Sequence, residues 1–92
     1  MFLFYSVHYP LPDKEALGAE KMRQFDELMK MQPGIVYVSD IFTDPERGAL
    51  IGFTIWESQE AFEASWPVLA KDVPSGQWEV KPPEVYRLNS AS

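Results

Sequence analysis

The 92-residue chain contains no cysteine and a single histidine, His8. Without thiols it can form neither a disulfide nor a thiolate metal site, and one imidazole falls short of the clustered ligands that a metal centre needs. Basic residues are scarce as well: eight Lys plus Arg stand against fourteen Asp plus Glu, a net charge of -6. That balance repels phosphate backbones, no local basic patch overrides it, and nucleic acid is not an expected partner. No apolar run approaches the roughly 18 residues of a membrane helix. The N-terminal MFLFYSVHYP lacks the basic start, the length and the small-residue cleavage site of a signal peptide, so a cytoplasmic location is expected. Repeats and low-complexity stretches are missing too.

What is present is dense punctuation between apolar segments. FLFYSVHY is rich in aromatic and β-branched residues and reads as a first strand, stopped by PLPD, where Asp13 is a candidate helix cap. From Lys14 to Met31 good helix formers dominate, and Leu17, Met22, Phe25, Leu28 and Met29 fall on one side. Gln32-Pro33-Gly34 ends that helix. IVYVSDIF, residues 35 to 42, then pairs as a hairpin with ALIGFTIW, residues 49 to 56, across the polar turn TDPERG. Ser58 is the expected N-cap of a second helix that carries Phe62, Trp66, Leu69 and Val73 at helical spacing, with Pro67 inside it. A last short strand lies around EVYRL. Residues 1–88 form one domain in this reading, and 89–92 a frayed tail.

The order βαββαβ points to an α+β ferredoxin-like sandwich, an antiparallel sheet with both helices packed on one face. Of the twenty-four residues at 2–9, 35–42 and 49–56 only Asp40 is charged, so neither face of the sheet has the polar alternation of a solvated surface. A second protein surface is therefore expected on the open face, and the economical form is a homodimer with two sheets packed face to face.

The run QPGIVYVSDIFTDPERGALIGFTIWESQEAFEASW resembles the antibiotic biosynthesis monooxygenase family of the dimeric α+β barrel superfamily. The resemblance is carried by Pro33-Gly34 after a helix, the hairpin across Thr43 to Gly48, Trp56-Glu57-Ser58 and then Ala61-Phe62, and it extends over residues 2 to 88. It implies a small homodimer with one cavity per subunit between sheet and helices, and oxygenation with no cofactor, neither metal nor flavin. An electron-rich phenol, once deprotonated, can pass an electron to dioxygen itself. The protein then binds the substrate, desolvates it, stabilises its anion and manages protons. Haem-degrading members of the superfamily carry an axial histidine on the second helix. SQEAFEASWPVLAKDV has none, so haem degradation is not implied.

His8 is the natural proton acceptor, because its ordinary titration range reaches neutrality; the plainer reading is a surface or dimer-edge imidazole. Trp66 belongs to the second-helix stripe and is a core residue on that count, yet a kink at Pro67 can open space under the indole for a planar substrate. Tyr5 and Tyr37 are candidates to turn phenolic hydroxyls into a cavity, or simply to fill volume. Arg87 can stabilise a substrate anion, against a surface pairing with Glu84 or Glu57. Asp40 can pair across the dimer. No strand-elbow motif supports a hydrolytic triad. The leading expectation is a cofactor-independent monooxygenase acting on a small aromatic, quinol or polyketide-like substrate. The alternative is a non-catalytic dimeric barrel that binds a small hydrophobic ligand, as a stress-response or accessory protein. The long connection over residues 71–83, which carries Trp78, is a further functional candidate.

Overall fold

The computed structural model describes residues 1–73 and 76–91. Pro74 and Ser75 of the long connection and Ser92 of the tail lie outside the described residues. The chain runs β1 (Phe2–His8), α1 (Glu15–Lys30), β2 (Ile35–Val38), β3 (Phe42–Asp44), β4 (Ala49–Trp56), α2 (Gln59–Leu69), a 3-10 turn (Ala70–Asp72) and β5 (Glu84–Asn89). All strand pairs are antiparallel, in the order β2-β4-β1-β5, with β3 also beside β4. Two helices cover one face of this sheet, which is the ferredoxin-like α+β fold.

The expected second strand is broken in two at Ser39. Its backbone N–H donates to the Phe53 carbonyl at 2.9 Å, but the returning Phe53 N–H donates to Ser39 Oγ instead of to a carbonyl, also at 2.9 Å. The ladder bond is thus taken over by a side chain, and Asp40 falls in the gap between β2 and β3. Asp13 differs from expectation in a similar way: it takes a left-handed turn at φ 70° ahead of α1, and no side chain caps that helix. Ser58 does cap α2, accepting from the Ala61 N–H at 3.1 Å. At the other end of the chain β5 includes Asn89, and the Ser90 N–H donates to the Met1 carbonyl at 2.9 Å.

Gly34 explains why Pro-Gly stands before the hairpin. Its φ of 86° is open to glycine, and a Cβ there would lie 2.6 Å from the Ala61 Cβ. The turn and the first turn of α2 are in contact, and the Glu57 N–H donates to the Gly34 carbonyl at 2.8 Å. Trp56-Glu57-Ser58 is therefore architecture: Trp56 is fully buried, and its Nε1–H donates to Thr54 Oγ1 at 2.9 Å.

Register divides the helix-covered face into rows across β4, β1 and β5. From one end they are Trp56-Phe2-Asn89, Thr54-Phe4-Arg87, Gly52-Ser6-Val85 and Leu50-His8. Helix α1 buries Gly18, Met22, Phe25 and Met29 against these rows, while Leu17, expected in the same stripe, is 44% exposed. Helix α2 contributes Phe62 and Leu69, with Trp66 half-buried, while Val73, expected on the same helix, lies beyond its end after the 3-10 turn and is half-buried as well. The core falls into two clusters: a large one around Phe2, Phe4, Trp56, Phe62 and Leu69, and a smaller one of Met22, Leu50 and Trp78.

Candidate active site

Between those clusters the row Gly52-Ser6 brings together two of the smallest side chains available, and the helices do not sink far enough to fill the deficit. The result is a cavity of about 220 Å³. Gly52, Ser6 and Thr54 form its floor; Met22, Phe25 and Met29 of α1 and Trp66 of α2 form its sides. A dry apolar cavity of ~150 Å³ already accepts benzene, so this one holds an aromatic ring, and because Val85 and Arg87 of its lining are exposed a fused ring system can extend past it.

Three of the residues singled out from the sequence, His8, Trp66 and Arg87, line this cavity. Trp66 reaches it because helical spacing from Phe62 carries the indole across the large cluster, with ring centroids 5.6 Å from Phe62 and 6.4 Å from Phe4. Pro67 follows within the helix, and its missing N–H leaves the Glu63 carbonyl without its usual i+4 donor. Arg87 shares a row with Phe4, and its guanidinium lies 5.9 Å from the Phe4 ring centroid and 6.0 Å from that of Phe62. It forms no ion pair among the described residues: neither Glu84, which lies 3.5 Å from Lys81, nor Glu57 engages it. A cation beside aromatic rings keeps some stabilisation without a counter-ion and remains available to an incoming anion.

His8 is 3% exposed, and its Nδ1 lies 2.6 Å from Glu79 Oε1. Trp78 stacks on the imidazole, with centroids 5.4 Å apart and planes at 26°. The strand-end position of His8 therefore does not leave it on the surface, because residues 78–80 close over it.

Tyr5 and Tyr37 are not brought to the cavity. Period-two alternation turns Tyr5 to the opposite face of β1, where it meets Tyr86 at 5.8 Å, and Tyr37 meets Phe53 on that same open face at 5.9 Å. In their place the structure adds Asp26, which is half-buried in α1 and lines the cavity. Burial pushes its carboxyl up to about 6; Lys30 one turn on opposes the shift and Glu27 adds to it. The sequence holds a signal for this residue: an acid four residues after Met22 and three before Met29 sits within the apolar stripe. Glu79 carries no comparable signal, since no periodicity governs a loop. Among the described residues no three His, Cys, Asp or Glu side chains gather into a metal-binding group, and no helix is long and apolar enough to cross a membrane.

No family model matches the sequence, and no curated protein matches it. Solved structures do match. A candidate antibiotic biosynthesis monooxygenase from Nitrosomonas europaea superposes with a TM-score of 0.77 at 14% identity, over 100% of both chains. SnoaB, a cofactor-independent oxygenase from Streptomyces nogalater, superposes at 0.73 with 12% identity, over 99% of this chain and 93% of its own. MhuD, a haem degrader from Mycobacterium tuberculosis with two haems bound in its active site, gives 0.74 at 12% identity, over 100% and 97%. Likeness at this level of identity establishes a shared fold, and that fold is found both in a cofactor-independent oxygenase and in a haem degrader.

Proposed function

We propose that this chain is a cofactor-independent monooxygenase that oxidises a small aromatic substrate, a quinol or an anthrone-like phenol. The observation that carries the reading is the convergence of His8, Asp26 and Arg87 on one mainly apolar cavity next to Trp66. A passive apolar binder needs no such set of proton-handling groups and free cation.

In this reading the substrate ring stacks against Trp66, and its phenolic proton passes to His8. The phenolate is held by Arg87, an exposed guanidinium that keeps its charge beside the Phe4 and Phe62 rings. In the enol tautomer of an anthrone the ring CH₂ carbon has already given one hydrogen to the oxygen, so the anion's charge is delocalised onto the remaining CH carbon, which gives one electron to dioxygen. The resulting radical pair, confined by the cavity walls, joins in a C–O bond to give a hydroperoxide. Loss of water from it leaves a ketone: CH₂ plus O₂ becomes C=O plus H₂O, and the substrate itself supplies every electron. Asp26 and His8 then return protons to the leaving oxygen.

Oxygen uptake with dithranol tests the proposal. One oxygen atom from isotopically labelled dioxygen is expected in the ketone, and His8→Ala is expected to lower kcat by about 10²–10⁴-fold. Tight binding of dithranol without enzyme-dependent oxygen uptake overturns this reading in favour of a ligand-binding barrel.

The assembly we propose is a homodimer through the open face of the sheet. Tyr37, Phe42, Tyr86 and Leu88 there are 46–54% exposed, an apolar surface of the kind that interfaces cover. A sedimentation mass of two chains at micromolar concentration is expected; a mass of one chain removes the dimer.

A further inference from the structure

We propose that Glu79 is a positioning residue for His8: it fixes the imidazole as the Nδ1–H tautomer, so that Nε2 is the nitrogen that takes the substrate's proton. The proposal rests on the oxygenase reading in its use of His8 as proton acceptor, although the tautomer itself does not depend on turnover.

The pair is buried, with side chains 4% and 3% exposed at a separation of 2.6 Å. A carboxylate only accepts hydrogen bonds, so Nδ1 is the donor. Glu79 has no second side-chain partner among the described residues, and a buried carboxylate without its donor is costly. Both facts hold the proton on Nδ1. His8 lines the cavity and Glu79 does not, which leaves the Nε2 edge of the ring on the cavity side.

Delivery of Glu79 is built into the fold. The Leu11 N–H donates to the Trp78 carbonyl and the Val80 N–H to the Tyr9 carbonyl, each at 2.8 Å. Pro10 and Glu79 form a β-bridge, so residues 78–80 lie along the chain that leaves β1. Trp78, 2% exposed, anchors this segment in a space that exists because Gly18 has no side chain: a Cβ there would lie 2.5 Å from the indole. The imidazole is therefore held along one edge by the carboxylate and on one face by the indole. During turnover the phenolic O–H bond breaks towards Nε2, the imidazolium is stabilised by Glu79, and the same proton later goes to the reduced oxygen. Glu79 touches no reacting atom.

His8 is the only histidine, so a nitrogen NMR spectrum of protein made with isotope-labelled histidine reports on this ring alone. In the neutral ring, Nδ1 is expected to be pyrrole-type and Nε2 pyridine-type. Glu79→Leu, which leaves Nδ1 no acceptor where a glutamine amide oxygen would still serve, is expected to abolish that preference and to lower kcat for dithranol by about 10–100-fold, with KM within about twofold. A wild-type ring protonated on Nε2 overturns the proposal, and so does a folded variant with unchanged kcat. Should the variant not fold, the wild-type spectrum decides. A wild-type Nδ1–H ring in a protein that leaves dithranol unoxidised upholds the positioning and counts against the oxygenase reading alone.

Discussion

The two ends of the chamber between sheet and helices are filled on opposite principles. At the Trp56 end, large rings meet at close range: Phe62 lies 5.1 Å from Phe2, 4.8 Å from Phe4 and 5.4 Å from Trp56, the last edge-on. Rigid aromatic packing of this kind leaves nothing to rearrange. At the His8 end the core reduces to Met22, Leu50 and Trp78, and the next row holds a glycine opposite a serine. One end secures the fold of a chain too short for much redundancy; the other gives up packing to leave room. Stability and site are thus separated along the strands and not between layers.

If that separation holds, Phe62→Ala should destabilise the protein more than any substitution at the open end. It removes the ring shared by four aromatic contacts and is expected to cost about 3–5 kcal/mol, a large share of a small domain's margin. Urea unfolding measures the loss. A stability within about 0.5 kcal/mol of wild type, the effect of an ordinary surface change, would show that the large cluster is not the anchor.

Gly18→Ala probes the boundary between the ends. Alanine is favoured over glycine in a helix by about 1 kcal/mol, but here its Cβ would lie 2.5 Å from the Trp78 ring. The clash is expected to win, with a net loss of about 1–2 kcal/mol in thermal unfolding. A shift in tryptophan emission should accompany it as the indole leaves its slot. A stabilised protein with unchanged emission would mean that Trp78 does not rest on α1.

What is legible in the sequence follows the same division. Strand alternation and helical stripes are readable wherever the core is regular, so the βαββαβ order, the Ser58 cap and the buried Phe62 stripe emerge from pattern alone. Pattern fails where a side chain replaces a backbone partner or a loop supplies the packing. Ser39 Oγ takes a ladder bond and splits a strand, which no propensity scale encodes. Glu79 reaches His8 from 71 residues away through a connection without period. Residue type alone suggests Tyr5 and Tyr37 for the cavity; counting alternation from Phe4 turns Tyr5 to the open face, whereas Tyr37 is turned there by a register shift between Ile35 and Tyr37 that alternation does not foresee. Asp26 becomes visible only when an acid inside an apolar stripe is weighed as a signal and not taken for part of a solvated face.

Asp26 also sets a pH dependence that belongs to the open end alone. Its carboxyl is raised to about 6 mainly because burial penalises the charged form. The folded protein therefore holds this proton more tightly than the unfolded chain does. Stability from this group is greatest below the unfolded value of 3.8 and is lost as pH rises through about 6. Asp26→Asn removes the penalty and is expected to stabilise the protein by about 1 kcal/mol at pH 8, after allowance for solvent screening at a partly open site, with little gain at pH 4. Denaturation at both pH values checks the sign: equal gains would assign the effect to something other than ionisation.

The smallest change in stability should come from Gly52→Ala, and for that reason it is the sharpest test of the comparison. A Cβ at Gly52 would find Met22 Cε at 3.6 Å and Ser39 Oγ at 3.9 Å, ordinary contacts that require no neighbour to move. Alanine also lowers the backbone entropy lost on folding, so the variant is expected to be as stable as wild type or about 0.5 kcal/mol more so. Yet the added methyl stands on the cavity floor, where one methyl's worth of lost space should weaken binding of an aromatic ligand by roughly tenfold. Calorimetry with dithranol kept under nitrogen, beside thermal unfolding, separates the two quantities. A fall in stability would mean that the Gly52-Ser6 row is constrained by packing. Unchanged stability with weakened binding would mean that the small residues of that row are there for the ligand, and that this chain withholds volume at one place in an otherwise filled core.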